Sequence, residues 1–322
     1  MKPAYFRISP VNINGRETNR LMLVLKTRGC EYAQKTGGCS VCGFSNHASE
    51  QIAGDDLIAQ VDYCLGAIRL HDVEEIDLLT LGSFLNDREV SPQIRQSLLT
   101  KVSSLKGLRR VSIESRAEYV TAAKLQACQA LLGNVTLEFG IGLESADDYI
   151  RNVIVRKGLT RQSFEQVVHQ VKAAGCDLLV YLLIKPPHLS EQAAIADAVR
   201  SARYVFEIAR QAAVAVRVAY EPVFICENTA LEQLFLNQQY RLVNLWSVVE
   251  VIRQTHQWGN LFVGLSDENL SLDRMPGSCP KCSKRIVDEI EHFNRTQSIS
   301  GLEQLECDCK NRYAEQLREG LL

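Results

Sequence analysis

Three of the eleven cysteines, Cys30, Cys39 and Cys42, stand in one loop with the spacing C-x8-C-x2-C. The loop follows an apolar run, Leu21 to Leu25, that reads as a buried strand ending in Lys26-Thr27-Arg28-Gly29. Such a loop gathers three thiolates at one point. Tetrahedral zinc would want a fourth ligand, which His47 could supply. Three protein thiolates also suit a 4Fe-4S cluster that leaves one iron open to bind and reduce a substrate, and this is the leading reading. A zinc half-site and coincidental buried thiols are the alternatives. A second group lies near the C-terminus: Cys279 and Cys282 as C-x2-C, then Cys307 and Cys309 as C-x-C, with 24 residues between the pairs. Four thiolates can close around one zinc; a second, auxiliary iron–sulfur cluster and unligated thiols stay open as readings.

The rest of the chain bounds these choices. With 322 residues, 46% hydrophobic and 23% charged, it is an ordinary globular chain with room for one large core and an appendage. No run approaches the roughly 18 apolar residues of a membrane span, and no export signal opens the chain, so no membrane and a cytoplasmic location are expected. Clustered thiols in a reducing compartment point to metal, not disulfides. A net charge of −2 gives no global attraction to nucleic acid. Residues 1–50, however, carry seven Lys or Arg against three Asp or Glu, a basic surplus beside the cysteine loop that could meet a phosphate-bearing substrate or be a solvated face.

The positioning elements follow from periodicity. Apolar strands are expected at 21–25, 75–81, 108–113, 135–143, 176–184 and 214–223, alternating with helices at 55–70, 92–105, 119–132, 160–174 and 191–213. Six βα units are too few for a closed eight-fold barrel and fit an α/β partial (βα)6 TIM-type barrel, whose chemistry sits at the C-terminal strand ends. Cys30, Gly82, Glu114, Glu144 and Lys185 all follow expected strands. The barrel is assigned to 1–223 and a cysteine-rich C-terminal extension to 224–322, with a helix at 243–256, a strand at 261–265 and a loop at 266–276. Cys64, Cys128, Cys176 and Cys226 read as core thiols, Lys157 as solvated and His47 as a loop residue.

The strand, the cysteine loop and Phe44 two residues after Cys42 resemble the radical S-adenosylmethionine (SAM) enzymes. The long loop is similar to that of the branch holding the Elongator catalytic subunit and the methylthiotransferases, and most of all to the archaeosine-synthase radical subunit family (RaSEA). The likeness extends over nearly the whole chain, including the C-terminal cysteine pairs. It implies a radical SAM core in which Cys30, Cys39 and Cys42 hold the 4Fe-4S cluster. Gly82-Ser83 stands where the family accepts the methionine amino group, although Phe84 occupies the usual acidic third position. Glu114-Ser115-Arg116 resembles an element whose arginine faces the SAM carboxylate, a match for a guanidinium fork. Gly140-Ile141-Gly142-Leu143-Glu144 resembles the nucleoside-binding element, which brings in Gly142 and Glu144.

For that family the resemblance implies a lyase step in tRNA modification. A lysine already attached to the nitrile-derived carbon of a 7-deazaguanine base is cut at the terminal C–N bond of its side chain, leaving the amidine of archaeosine. A tRNA substrate, a partner enzyme that loads the lysine and an external electron donor are the implied partners. Two alternatives stand beside it: radical SAM chemistry on a small molecule or another modified nucleoside, and a non-catalytic zinc-bearing RNA-binding or scaffold protein.

Overall fold

The computed structural model describes residues 1–67, 73–265 and 270–320. Its centre is one eight-stranded sheet in sequential order: β1 (Tyr5–Ile13), β2 (Arg16–Leu25), β3 (Val73–Thr80), β4 (Arg110–Glu114), β5 (Thr136–Glu144), β6 (Asp177–Ile184), β7 (Val216–Pro222) and β8 (Asn260–Val263). Strands β2 to β8 are all parallel, and β1 runs antiparallel to β2. The sheet curls without closing, the partial barrel expected, with a seventh parallel strand beyond the six units. Strand β1 was not expected. Its signal is Asn14-Gly15, both at positive φ (52° and 85°), the two-residue turn whose twist suits a hairpin.

Eleven helices accompany the sheet among the described residues: α1 (Glu31–Thr36), α2 (Gly54–Ala67), α3 (Pro92–Ser103), α4 (Ala122–Leu132), α5 (Arg161–Ala174), α6 (Glu191–Ala212), α7 (Ala230–Leu236), α8 (Leu245–Thr255), α9 (Ser283–Thr296), α10 (Ser300–Glu303) and α11 (Asp308–Arg318). Residues 68–70 of the expected first helix, Ile68 among them, and 266–269 of the expected loop lie outside the described residues. Local chemistry sets the helix starts: Ser91, Thr121, Thr160 and Ser190 each accept a backbone N–H of the first turn of α3, α4, α5 and α6. The outer sheet face supplies the main core, with Leu21, Leu23, Leu25, Ile76, Leu78, Val111, Ile113, Leu137, Phe139, Val180 and Leu182 buried. Every residue of β3 is buried, as expected of a strand covered on both faces. Its inward face carries charge, since Glu75 and Asp77 alternate with Ile76 and Leu78.

Helix α9 fills the gap between β1 and β8, packing against both. Asn294 on α9 donates to Val263 O and accepts from Val263 N, each at 2.9 Å. Gln297, just beyond α9, treats Leu261 in the same way at 2.9 and 3.0 Å. Side-chain amides thus satisfy the backbone edge of β8 as a further strand would. On the other side Arg295 O accepts from Asn12 of β1 at 2.7 Å.

Candidate active site at the C-terminal strand ends

The cysteine loop leaves β2 through Gly29 (φ 86°), runs along α1, and turns at Gly37 and Gly38 (φ 85° and 77°) before Cys39. Backbone of a distant segment holds it in place. Ser40 donates through N to Val155 O at 2.9 Å and through Oγ to Ile154 O at 2.8 Å, and Tyr32 donates to Arg156 O at 2.8 Å. So held, Cys30, Cys39 and Cys42 line one cavity of about 350 Å³, together with Phe44, Gly82, Glu114, Arg116, Gly142 and Glu144. Burial pushes the Cys39 thiol up, with Lys157 acting against it. Among the described residues, only the C-terminal cysteines form a group of ligand atoms all within 4.8 Å of one another. Three thiols lining one cavity suit, by donor type and number, a multi-iron cluster.

Each strand end contributes a distinct constraint. A Cβ on Gly82 would stand 2.8 Å from the backbone N and Cα of Cys30, so only glycine lets β3 approach the loop this closely. Ser83 is buried outside the cavity lining; its N donates to Glu89 at 2.6 Å and its Oγ accepts from Arg116 N at 3.1 Å. Glu89 also accepts from Thr27 Oγ1 at 2.5 Å, tying the ends of β2 and β3 together; burial raises its carboxyl to about 7. Among the described residues Glu114 has no side-chain hydrogen-bond or ion-pair partner. Burial raises it to about 7, while the Lys157 charge lowers it.

Arg116 lies over the Tyr32 ring at 3.9 Å, pairs with Glu118 at 2.6 Å and donates to Lys157 O at 2.9 Å. Its planar fork is therefore fixed at the rim. Lys157, expected to be solvated, is 17% exposed and donates to Glu144 at 2.6 Å. Glu144 sits at φ 66°, a left-handed position at the end of β5 that turns its carboxylate back over the cavity. A Cβ on Gly142 would collide with Glu144 Oε1 and Lys157 Nζ, so the glycine makes room for this ion pair.

The remaining residues are placed as follows. His47 is exposed and does not line the cavity. Lys185 is turned away, pairing with Glu191 at 2.6 Å. Cys64, Cys128 and Cys176 are buried core thiols. Cys226, expected in the core, is only half-buried and abuts Gly43 in the cysteine loop. Sequence reasoning missed Glu89 and a set of interior charges, Arg20, Asp77 and Arg217, that line the far end of the cavity. Their one signal is a charged residue on the inward phase of an otherwise apolar strand.

The C-terminal cysteines converge as expected. Cys279 lies 3.4 Å from Cys282 and 3.6 Å from Cys307, and Cys282 lies 3.3 Å from Cys309, sulfur to sulfur. Trp246 Nε1 donates to Cys309 Sγ at 3.3 Å. No helix among the described residues is long and apolar enough to cross a membrane.

Comparison with known proteins returned no matching family model. The chain is 32% identical over 307 residues to archaeosine synthase subunit beta of Methanosarcina acetivorans, covering 95% of this chain and 87% of that protein. It is 27% identical over 318 residues to the protein of the same name from Thermococcus kodakarensis, covering 97% and 95%. Among solved structures, methylornithine synthase (PylB) superposes with a TM-score of 0.51 at 14% identity, over 88% of this chain and 84% of that one. The archaeal Methanocaldococcus infernus Elp3 gives a TM-score of 0.51 at 14% identity, over 74% and 58%. At that identity the two structures share the fold.

Proposed function

Because the chain belongs to the archaeosine synthase subunit beta family, we propose that it is a radical SAM enzyme in which Cys30, Cys39 and Cys42 hold a 4Fe-4S cluster. The observation that carries the reading is the convergence of three thiols and five strand-end residues on one cavity. Cluster and SAM, when bound, supply a 5′-deoxyadenosyl radical by one-electron reductive cleavage, the electron coming from an external donor. The protein's own part is positioning. Gly82 leaves backbone bare for the methionine amino group, Arg116 offers a rigid guanidinium to its carboxylate, and Phe44 borders the thiol loop. Gly142 and Glu144 shape the nucleoside side, and Lys157 holds the Glu144 carboxylate in place at 2.6 Å.

The proposed substrate is a tRNA whose 7-deazaguanine base carries a lysine adduct, and the step is cleavage of the terminal C–N bond of the lysine side chain to leave an amidine. The word subunit in the relatives' name supports assembly with a partner protein, proposed here to be the enzyme that loads the lysine. The four C-terminal cysteines are proposed to hold one zinc. Thiolates around a tetrahedral zinc with bonds of about 2.3 Å stand about 3.8 Å apart, close to the observed spacing, whereas a 4Fe-4S cluster sets its thiolates on different irons and farther apart.

Anaerobic reconstitution followed by a dithionite-driven assay for 5′-deoxyadenosine tests the reading, with iron and zinc counted on the same sample. Expected are about four irons and one zinc per chain and SAM cleavage, with archaeosine formed when adduct-bearing tRNA is supplied. Zinc at both cysteine groups with no SAM cleavage would replace the enzyme with a zinc-bearing scaffold.

A further inference from the structure

At the end of the barrel away from the thiol loop, the inward strand faces bring together Arg20, Glu75, Asp77, Arg110, Glu138 and Arg217, each no more than 6% exposed. The formal charges cancel, three against three. Glu75 and Glu138 are saturated: Arg217 Nη2 reaches them at 2.8 and 2.5 Å, and Arg110 Nη1 at 3.3 and 3.6 Å. Asp77 is held from one side only, by Arg20 at 3.0 Å through Oδ2. Asp77 Oδ1, Arg217 Nη1 and Nε, and Arg20 Nε have no hydrogen-bond partner among the described residues. These three residues, and not Glu75, Glu138 or Arg110, line the cavity. These atoms each expose less than 1 Å², so a partner reaches them only as the floor side chains turn. Since buried polar atoms in folded proteins almost always have partners, an unpaired acceptor and unpaired donors on cavity-lining side chains point to the polar groups of a ligand.

We infer that this floor is a subsite for the zwitterionic head of an α-amino acid, with Asp77 accepting from the ammonium and Arg217, beside Arg20, donating to the carboxylate. A phosphate would face three carboxylates there, and an uncharged group such as water would pair the atoms without matching their charges. A ligand with a cation and an anion a few bonds apart answers both in charge as well as in hydrogen bonds. The walls fit the rest of such a ligand: Met22, Leu79, Leu179 and Phe262 line an apolar shaft above the floor, suited to a chain of methylenes. Gly82 lies five residues beyond Asp77 and two past the end of β3, a span of up to roughly 16 Å at the strand rise, which leaves length for an extended side chain rising toward the thiol loop. The inference rests on the lysine-adduct reading and deepens it: the adduct is recognised by its amino-acid end, so base and tRNA stay at the mouth.

The test is direct binding of Nε-acetimidoyl-lysine, a lysine carrying the amidine, to the full-length anaerobic protein by calorimetry. It is compared with the same compound acetylated on its α-amine and with acetimidoyl-cadaverine, which lacks the α-carboxylate. Each altered ligand is expected to bind at least about tenfold more weakly, since each loses a charge-assisted pair. Asp77→Asn is expected to erase most of the discrimination against the acetylated amine while retaining that against the missing carboxylate. Equal binding of all three ligands, or no binding of any, overturns the subsite and leaves the floor a structural ion network completed by water. The ligand series uses unaltered protein, so it stands even if Asp77→Asn fails to fold. Discrimination without turnover of adduct-bearing tRNA retains the subsite and rejects the substrate reading. Turnover without discrimination does the reverse.

Discussion

The two cysteine groups offer the same donor atom in different settings. Cys30, Cys39 and Cys42 line a cavity on a loop fixed by backbone contacts to a distant segment. Cys279, Cys282, Cys307 and Cys309 crowd within 4.8 Å of one another beneath Trp246, at the start of α9 and the start of α11. Ligand number separates the proposed roles: four thiolates around one tetrahedral ion leave no coordination position for chemistry, and three on a four-iron cluster leave an iron open. Location separates them too. The loop group opens onto the cavity, whereas the closed group sits at the start of the helix that fills the open edge of the barrel.

The contrast is sharpest in single-cysteine variants. Cys39→Ala is expected to abolish reductive SAM cleavage and lower bound iron, while zinc content and melting temperature stay near those of the unaltered protein. Cys307→Ser should do the converse, losing zinc and costing more than about 4 kcal/mol of stability in denaturant titration, as loss of a structural metal does. Hydrogen exchange should then rise first in α9 and in β8, whose edge depends on Asn294 and Gln297. If Cys307→Ser unfolds no more easily than the unaltered protein, α9 is held by its own packing and the division of labour breaks.

Gly142→Ala probes the open side without touching a thiol. Its added methyl displaces either Glu144 or Lys157 from their contact. SAM cleavage is expected to fall about 10- to 100-fold, mostly through weaker cofactor binding, with stability changed by less than about 1 kcal/mol because the displaced groups border the cavity. An unchanged affinity for SAM would remove Gly142 and Glu144 from the nucleoside side.

Both cysteine groups were legible because ligand spacing is local, and the parallel strands were legible because a doubly covered strand is an apolar run. Lys157 was not. Its sequence surroundings, Arg156 and Gly158, describe a solvated turn, and only the left-handed Glu144 at the end of β5, in the same β5–α5 unit, supplies its partner. The floor charges escaped for the same reason. Arg20, Asp77 and Arg217 each look like an isolated charge in a strand, and the curl of the sheet alone puts them together. Helix α9 shows a strong apolar face in sequence, yet its function as the substitute for a strand lies in Asn294 and Gln297, two amides that nothing local distinguishes from surface residues.

The smallest effect concerns what the open site costs the fold. Glu114 is a cavity-wall carboxyl without a hydrogen bond among the described residues, raised by burial from 4.5 to about 7. Between those values the folded protein holds a proton that the unfolded chain releases, so stability falls as pH rises through that window. Glu114→Gln has no proton to lose. The variant should match the unaltered protein near pH 4 and exceed it at pH 8, by on the order of 1–2 kcal/mol once the partial solvent access of the cavity is allowed for. Denaturant titrations at the two pH values measure the difference. A gain at pH 8 accompanied by lost activity would identify Glu114 as a carboxyl retained for function against stability, as active sites often do. A variant no more stable than the unaltered protein at pH 8 would mean that Lys157 already compensates the charge, and that the open site, like the closed one, is neutral or favourable to the fold.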